Sequence, residues 1–193
     1  GTEKTMLRFP ETSIGIYPGL GGTQRATRVC GIEAARFAVL AGNFMDAGAA
    51  RALGLITHMV EASEVTSTVR AISATGKPDE KYPGAPSDPS HPVAAMSKAF
   101  FSDQNMESLL SGQAPDGFDP EDRNVARQLK SLSRAAPVSV RIASDLLDKA
   151  LVTDLESGLQ LELDYLEEIF ATKDAREGLS ALVEGRRPEY VGS

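Results

Sequence analysis

Glu11 and a glycine cluster that begins eight residues later are the first groups in this chain with chemistry to offer. The stretch reads Phe9-Pro10-Glu11-Thr12-Ser13-Ile14-Gly15-Ile16-Tyr17-Pro18-Gly19-Leu20-Gly21-Gly22-Thr23-Gln24-Arg25. A carboxyl group flanked by Ile14, Ile16 and Tyr17 loses water, and desolvation raises its pKa toward the range where it both takes and gives a proton. Gly19-Leu20-Gly21-Gly22 ahead of a helix offers backbone N–H donors at the positive end of a helix dipole, suited to a carbonyl oxygen, a water or a phosphate. A nucleotide P-loop is excluded because Thr23-Gln24 stands where Lys and Ser/Thr are required, and the dinucleotide pattern G-x-G-x-x-G is equally unmatched. Taken singly, Glu11 reads as a surface glutamate and the glycines as a plain turn.

The elements that must hold these groups follow from the local pattern. Residues 5–9 alternate and read as a short strand that delivers Glu11 at its end. Helices are predicted over 23–30, stopped by Gly31, and over 32–41, stopped by Gly42; Asp46 caps a third that ends at Gly54, and residues 55–60 read as a strand. From residue 61 the character changes. A proline-rich stretch over 75–92 reads as a long surface loop, followed by short helices over 93–101 and 106–110. The last third is helical: Pro137 suits the first turn of a helix reaching about Lys149, and Thr153-Asp154-Leu155-Glu156 has the capping-box pattern. Leu155, Leu159, Leu163, Leu166 and Phe170 then recur at helical spacing, an apolar face that must pack on something. Another helix starts at Thr172-Lys173-Asp174. The chain divides on this reading into a core over 1–60, an insertion over 61–121 and a helical region over 122–193.

Bulk composition narrows the function classes. The chain has 193 residues, and 20 basic against 27 acidic side chains give a formal net charge of −7, which argues against nucleic-acid binding and against adhesion to anionic membrane. The single Cys30 excludes an internal disulfide and fits a reducing compartment, and no apolar run approaches the roughly 18 residues of a membrane-spanning helix. The expected location is the cytoplasm or an organelle matrix. His58 and His91 have no partners at metal-ligand spacing, so no metal site is expected. Cys30 reads as a small buried hydrophobe at a helix end. Arg186-Arg187 either holds a phosphate or complements the dipole of a helix C-terminus.

The motif from Phe9 to Arg25, with Ala41-Gly42 and the run Ala47 to Gly54-Leu55-Ile56, closely resembles the crotonase superfamily, in particular its enoyl-CoA hydratase/isomerase branch. Phe170-Ala171-Thr172-Lys173-Asp174-Ala175-Arg176-Glu177-Gly178 and the ending Glu184-Gly185-Arg186-Arg187-Pro188-Glu189-Tyr190 resemble that family's closing helices. The resemblance implies an α/β fold: the C-terminal part of a crotonase-type ββα spiral followed by a helical trimerisation region. It implies an acyl-CoA substrate, with coenzyme A as part of the substrate and no separate cofactor, and a homotrimer or dimer of trimers. Residue by residue, Glu11 matches a catalytic glutamate and Gly19 the backbone position beside the catalytic water, with Tyr17, Pro18 and Leu20 lining the same site. Phe170 matches an aromatic residue near the CoA adenine, and Arg186 or Arg187 a basic residue near its phosphates.

Two departures bear on activity. The two backbone N–H groups of the family's oxyanion hole and its other glutamate belong to segments upstream of Gly1, so an upstream crotonase segment is an expected partner and the chain alone is expected to be inactive. Phe100-Phe101-Ser102-Asp103 with Met106-Glu107-Ser108-Leu109-Leu110 resembles the related 3-hydroxyisobutyryl-CoA hydrolases, which carry an acid where this chain has Gly19. Gly19 favours hydratase or isomerase; thioester hydrolysis and a non-catalytic assembly module are the alternatives.

Overall fold

A computed structural model describes residues 1–75 and 87–193. In chain order its elements are β1 (Met6–Leu7), a 3-10 turn (Glu11–Ile14), α1 (Gly22–Cys30), α2 (Ile32–Val39), β2 (Met45–Asp46), α3 (Ala47–Ala52), a 3-10 turn (Ala62–Glu64) and α4 (Val65–Thr75). Then follow α5 (Pro92–Phe100), a 3-10 turn (Asp103–Asn105), α6 (Met106–Leu110), α7 (Arg123–Leu132), α8 (Pro137–Lys149), α9 (Leu155–Asp164), α10 (Leu166–Ala171) and α11 (Lys173–Glu184). Much of the predicted proline-rich loop, residues 76–86, lies outside the described residues. No helix among the described residues is long and apolar enough to cross a membrane.

Contacts gather the chain into two units that cut across the boundaries at 60 and 121, because composition changes along the chain do not mark which segments pack together. The first unit comprises Gly1–Leu7 and Phe44–Met96. Its sheet is a two-residue antiparallel ladder in which Met6 opposes Asp46 and Leu7 opposes Met45. Of the strand predicted over 5–9, only these two residues of β1 pair. The strand predicted over 55–60 does not form, for want of a ladder: Val60 N–H donates to Gly1 O at 3.0 Å and the Gly1 amino group to His58 O at 2.7 Å, two contacts with no continuing pairing. Asp46 caps α3 as predicted, accepting from Ala49 N–H at 2.8 Å.

The second unit, Arg8–Asn43 and Ser97–Ser193, contains every site residue named above. Its spine is α8, which starts with Pro137 in its first turn and buries Val138, Val140, Ile142, Ala143, Leu146 and Leu147. Helices α1, α2, α6 and α9 pack against it. Part of the predicted insertion belongs to this core: Phe100 and Phe101 are fully buried and meet Phe37 and Phe118 edge to face, with centroids 5.1 to 5.9 Å apart. Buried Arg36 ties α2 to this layer through Asp103 and Asp148, each at 2.6 Å, and the Phe101 carbonyl at 3.1 Å.

The capping box assigned to Thr153 is a shifted cap in the structure. Asp154 accepts from Ser157 N–H at 2.8 Å, while the Thr153 hydroxyl donates back to Lys149 O at 2.8 Å. The leucine stripe is also not the packing face. Leu155, Leu163, Leu166 and Phe170 are exposed, and α9 turns Gly158 and Glu162 inward instead. Gly158 lets α9 come so close to α1 that a Cβ there would strike the Gln24 side-chain amide. Thr172 caps α11, accepting from Ala175 N–H at 3.0 Å. Thr172→Ala is expected to lower stability by about 1 kcal/mol and Thr172→Ser to restore most of it, as read from urea unfolding midpoints.

Candidate active site

Pro10 fixes the chain's approach to the 3-10 turn Glu11–Ile14, and Gly15 closes it in the left-handed region at φ 86°. Thr12 anchors this turn on two sides. Its side chain is buried and donates to Val39 O at 3.3 Å, at the end of α2, and its carbonyl accepts from Ala136 N–H at 2.9 Å, just before α8. On a third side α11 lies against the turn: a Cβ on Gly178 would collide with the Ile14 carbonyl, and one on Gly15 would lie 2.7 Å from Ala175 Cα. Glu11 is thereby held on a short segment braced by three helices.

Glu11 Oε2 is buried and has no hydrogen-bond partner among the described residues. Burial pushes the carboxyl pKa up, against the smaller opposing pull of its own backbone N–H and of the Arg8 charge. Arg8 itself donates from Nε to Gly42 O at 2.7 Å and from a terminal nitrogen to Ser13 Oγ at 3.1 Å. A carboxyl with a free, desolvated oxygen is suited to proton transfer.

The glycine cluster differs from its sequence reading. Of the four glycine-cluster N–H donors one, Gly21, is taken by Glu162 of α9, which also takes donors of Thr23 and Gln24 and is 3% exposed. Its Oε2 accepts from Gly21 N–H at 2.6 Å, and its Oε1 from Thr23 N–H at 3.1 Å, Thr23 Oγ1 at 2.6 Å and Gln24 N–H at 3.4 Å. Gly22 N–H turns back to Gly19 O at 3.0 Å. Among the described residues the N–H groups of Gly19 and Leu20 have no acceptor. Leu20 is fully exposed and sits at φ 57°, a left-handed conformation that costs a non-glycine residue roughly 1 kcal/mol. A Cβ on Gly19 would meet nothing within 4 Å, so the space beside it is open.

Tyr17 and Pro18, expected at the ligand, serve the turn's own packing. Both are buried; the Tyr17 hydroxyl donates to the Glu162 carbonyl, and Pro18 O accepts from Thr23 N–H at 3.3 Å. Burial, with the Glu162 charge, pushes the Tyr17 phenol up to about 12. The two C-terminal arginines separate in role. Arg186 forks onto Glu177 at 2.5 and 2.9 Å and reaches Glu184 at 2.5 Å, so its guanidinium is occupied within the chain, and the Glu177 carboxyl falls to about 2 beside it. Arg187 borders a groove of about 460 Å3 with Ser13, Arg134 and Tyr190, two residues from Glu11 in sequence. Tyr190 secures this tail, its hydroxyl donating to Ser13 O at 2.8 Å. Phe170 lies on α10 and is 49% exposed.

Cys30 is partly buried, and its thiol donates to Ala26 O at 3.1 Å; burial pushes its pKa up to about 12. At pH 8 it is expected to resist iodoacetamide in the folded chain and to react readily once unfolded in urea, as followed by mass spectrometry.

Thr12, Gly178 and Glu162 were not marked by sequence reasoning. Glu162 had a weak signal available: an acidic residue midway between Leu159 and Leu166, where a buried helix face would be apolar.

The unit that carries the braced Glu11 turn and the open glycine turn belongs to a crotonase-type fold. The sequence profile of the Enoyl-CoA hydratase/isomerase family matches residues 1–191, and the chain belongs to that family. The Bacillus subtilis protein YngF, which bears the name of an enoyl-CoA hydratase/isomerase, is 30% identical over 191 residues, covering 99% of this chain and 52% of that protein. The mitochondrial methylglutaconyl-CoA hydratase of Mus musculus is 28% identical over 182 residues, 94% of this chain and 41% of that protein. Two solved structures share the fold. A carnitinyl-CoA dehydratase from Mycobacterium thermoresistibile matches with TM-score 0.73 at 19% identity, covering 98% of this chain and 55% of that one. An enoyl-CoA hydratase from Rhodobacter sphaeroides matches with TM-score 0.74 at 22% identity, covering 100% and 56%. The chain spans about half the length of the curated relatives it matches.

Proposed function

We propose that this chain carries the proton-transfer wall of an enzyme that adds water to, or shifts the double bond of, an enoyl-CoA. The observation that carries the reading is Glu11: one buried, unpartnered carboxyl oxygen with a raised pKa, on a turn fixed by Thr12, in a chain of the enoyl-CoA hydratase/isomerase family. Glu11 passes a proton to or from the substrate carbon or the attacking water, and the Gly19 N–H, unpaired among the described residues, orients that water. Coenzyme A enters as part of the substrate, with its phosphates near Arg187 and its adenine near Phe170; no separate cofactor takes part.

The chain works with an upstream crotonase segment that supplies the oxyanion hole and a second glutamate, consistent with its covering about half of its relatives. Oxyanion stabilisation is usually the largest electrostatic contribution to chemistry of this kind, so the chain alone is inactive. The assembly is a homotrimer or dimer of trimers in the cytoplasm, and the exposed apolar side chains of α9 and α10 favour association.

The test joins this chain to an upstream crotonase segment and follows crotonyl-CoA by loss of its enoyl absorbance. Hydration by the joined protein, and none by the chain alone, is the expected result. Release of free CoA without hydration identifies a thioester hydrolase instead, and no turnover of any acyl-CoA leaves the assembly-module reading.

A further inference from the structure

We propose that Glu162 is a positioning residue for the site, holding the glycine turn in the geometry that keeps the Gly19 and Leu20 N–H groups open to a ligand. The inference rests on Glu11 and this turn being the reactive site.

A helix start is ordinarily capped by a nearby Ser, Thr, Asp or Asn. Here the N-cap is Gly21, in the left-handed region at φ 87°, and no side chain of its own caps α1. The cap comes instead from Glu162, more than 130 residues along the chain, and it takes the N–H groups of Gly21, Thr23 and Gln24. Gly22 is satisfied by Gly19, so the unpaired donors are the two at the front of the turn. The backbone carbonyl of the same glutamate receives the Tyr17 hydroxyl, and one residue therefore holds both the entry to the turn and its exit.

Removing the carboxylate leaves the buried Gly21 N–H and Thr23 hydroxyl without their acceptor, a costly state that the turn relieves by moving. The strained residue at its centre, Leu20, is the one that gains by relaxing. Movement there displaces the Gly19 N–H and touches neither the Glu11 turn nor Arg187.

The experiment compares Glu162→Gln with Leu109→Ala, a truncation of a buried residue on α6, in the joined protein. Glu162→Gln keeps an acceptor oxygen and the side-chain volume. It is expected to lower kcat per folded molecule by about 10-fold or more while KM changes by less than about 3-fold, the pattern of an interaction realised in the transition state. Leu109→Ala is expected to lower Tm and leave kcat per folded molecule unchanged. A Glu162→Gln protein with unaltered kcat per folded molecule overturns the proposal. If glutamine prevents folding, Glu162→Asp, which keeps the charge and shortens the reach, is read in the same way.

A second readout needs no turnover. In 15N-labelled chain the Gly19 and Leu20 amide resonances are expected to move on Glu162→Gln and to stay in place on Leu109→Ala; unmoved resonances in Glu162→Gln overturn the proposal. If instead Glu11→Gln retains full activity, the functional reading fails while the resonance measurement still decides the role of Glu162.

Discussion

Glu11→Gln is expected to reduce crotonyl-CoA hydration by the joined protein about 100-fold to 10,000-fold, the range of general acid–base contributions, with the substrate still bound. The same substitution is expected to make the folded chain more stable at pH 7. Burial raises the Glu11 pKa in the folded state above its unfolded value, so the folded state binds the proton more tightly. Stability from this group is then greatest at pH below the unfolded value and declines as pH rises through the window up to the raised folded value. Glutamine carries no charge to desolvate. Its advantage should be largest at neutral pH and should shrink toward acid pH, where Glu11 is protonated in both states. Urea midpoints of both proteins across that range check the sign, and a glutamine variant less stable at pH 7 would contradict the desolvated placement of the carboxyl. Loss of activity joined to a gain in stability is the signature of a group kept for chemistry at a cost to the fold.

Gly178→Ala should produce the largest loss of stability. Helix propensity alone favours alanine by about 1 kcal/mol in the middle of α11. Packing opposes it: the new Cβ would collide with the Ile14 carbonyl and lie 2.7 Å from the Tyr190 hydroxyl. The obstruction is mostly backbone, which has no rotamer to change, so the helix must lift from the turn. A net loss of roughly 3 kcal/mol is expected, at the upper end for overpacking. Because the displaced turn carries Glu11, activity should fall as well, and a control at exposed Ser180 on the same helix should do neither. An alanine variant of unchanged urea midpoint would mean that α11 and the turn are not in contact.

The parts of this molecule written in local chemistry were legible in its sequence. Asp46 as a cap, Pro137 at a first turn and Gly31 as a stop each act within a few residues, and α3, α8 and α1 lie where those residues put them. Helix α4 was missed because Val65-Thr66-Ser67-Thr68-Val69 is rich in β-branched residues of low helix propensity, which tertiary context overrides. The strand over 55–60 failed for the converse reason: its pattern was suitable, but a strand exists only through a partner. Periodicity identified the faces of α9 without saying which turns inward, and Gly158 with Glu162, not the leucines, faces α1. At the site, Glu11 was visible through its motif. The destination of the glycine-turn donors was not, since it depends on a residue more than 130 positions away.

That distance has a consequence for how the molecule comes into being. The turn bearing Gly19 leaves the ribosome more than 130 residues ahead of its anchor, Glu162. Bringing the two together closes a loop of more than 130 residues, and long closures of this kind form late in folding. The glycine turn therefore acquires its final shape only after α9 docks, and a nascent or C-terminally clipped chain lacking residue 162 carries Glu11 beside a wall that is not yet built.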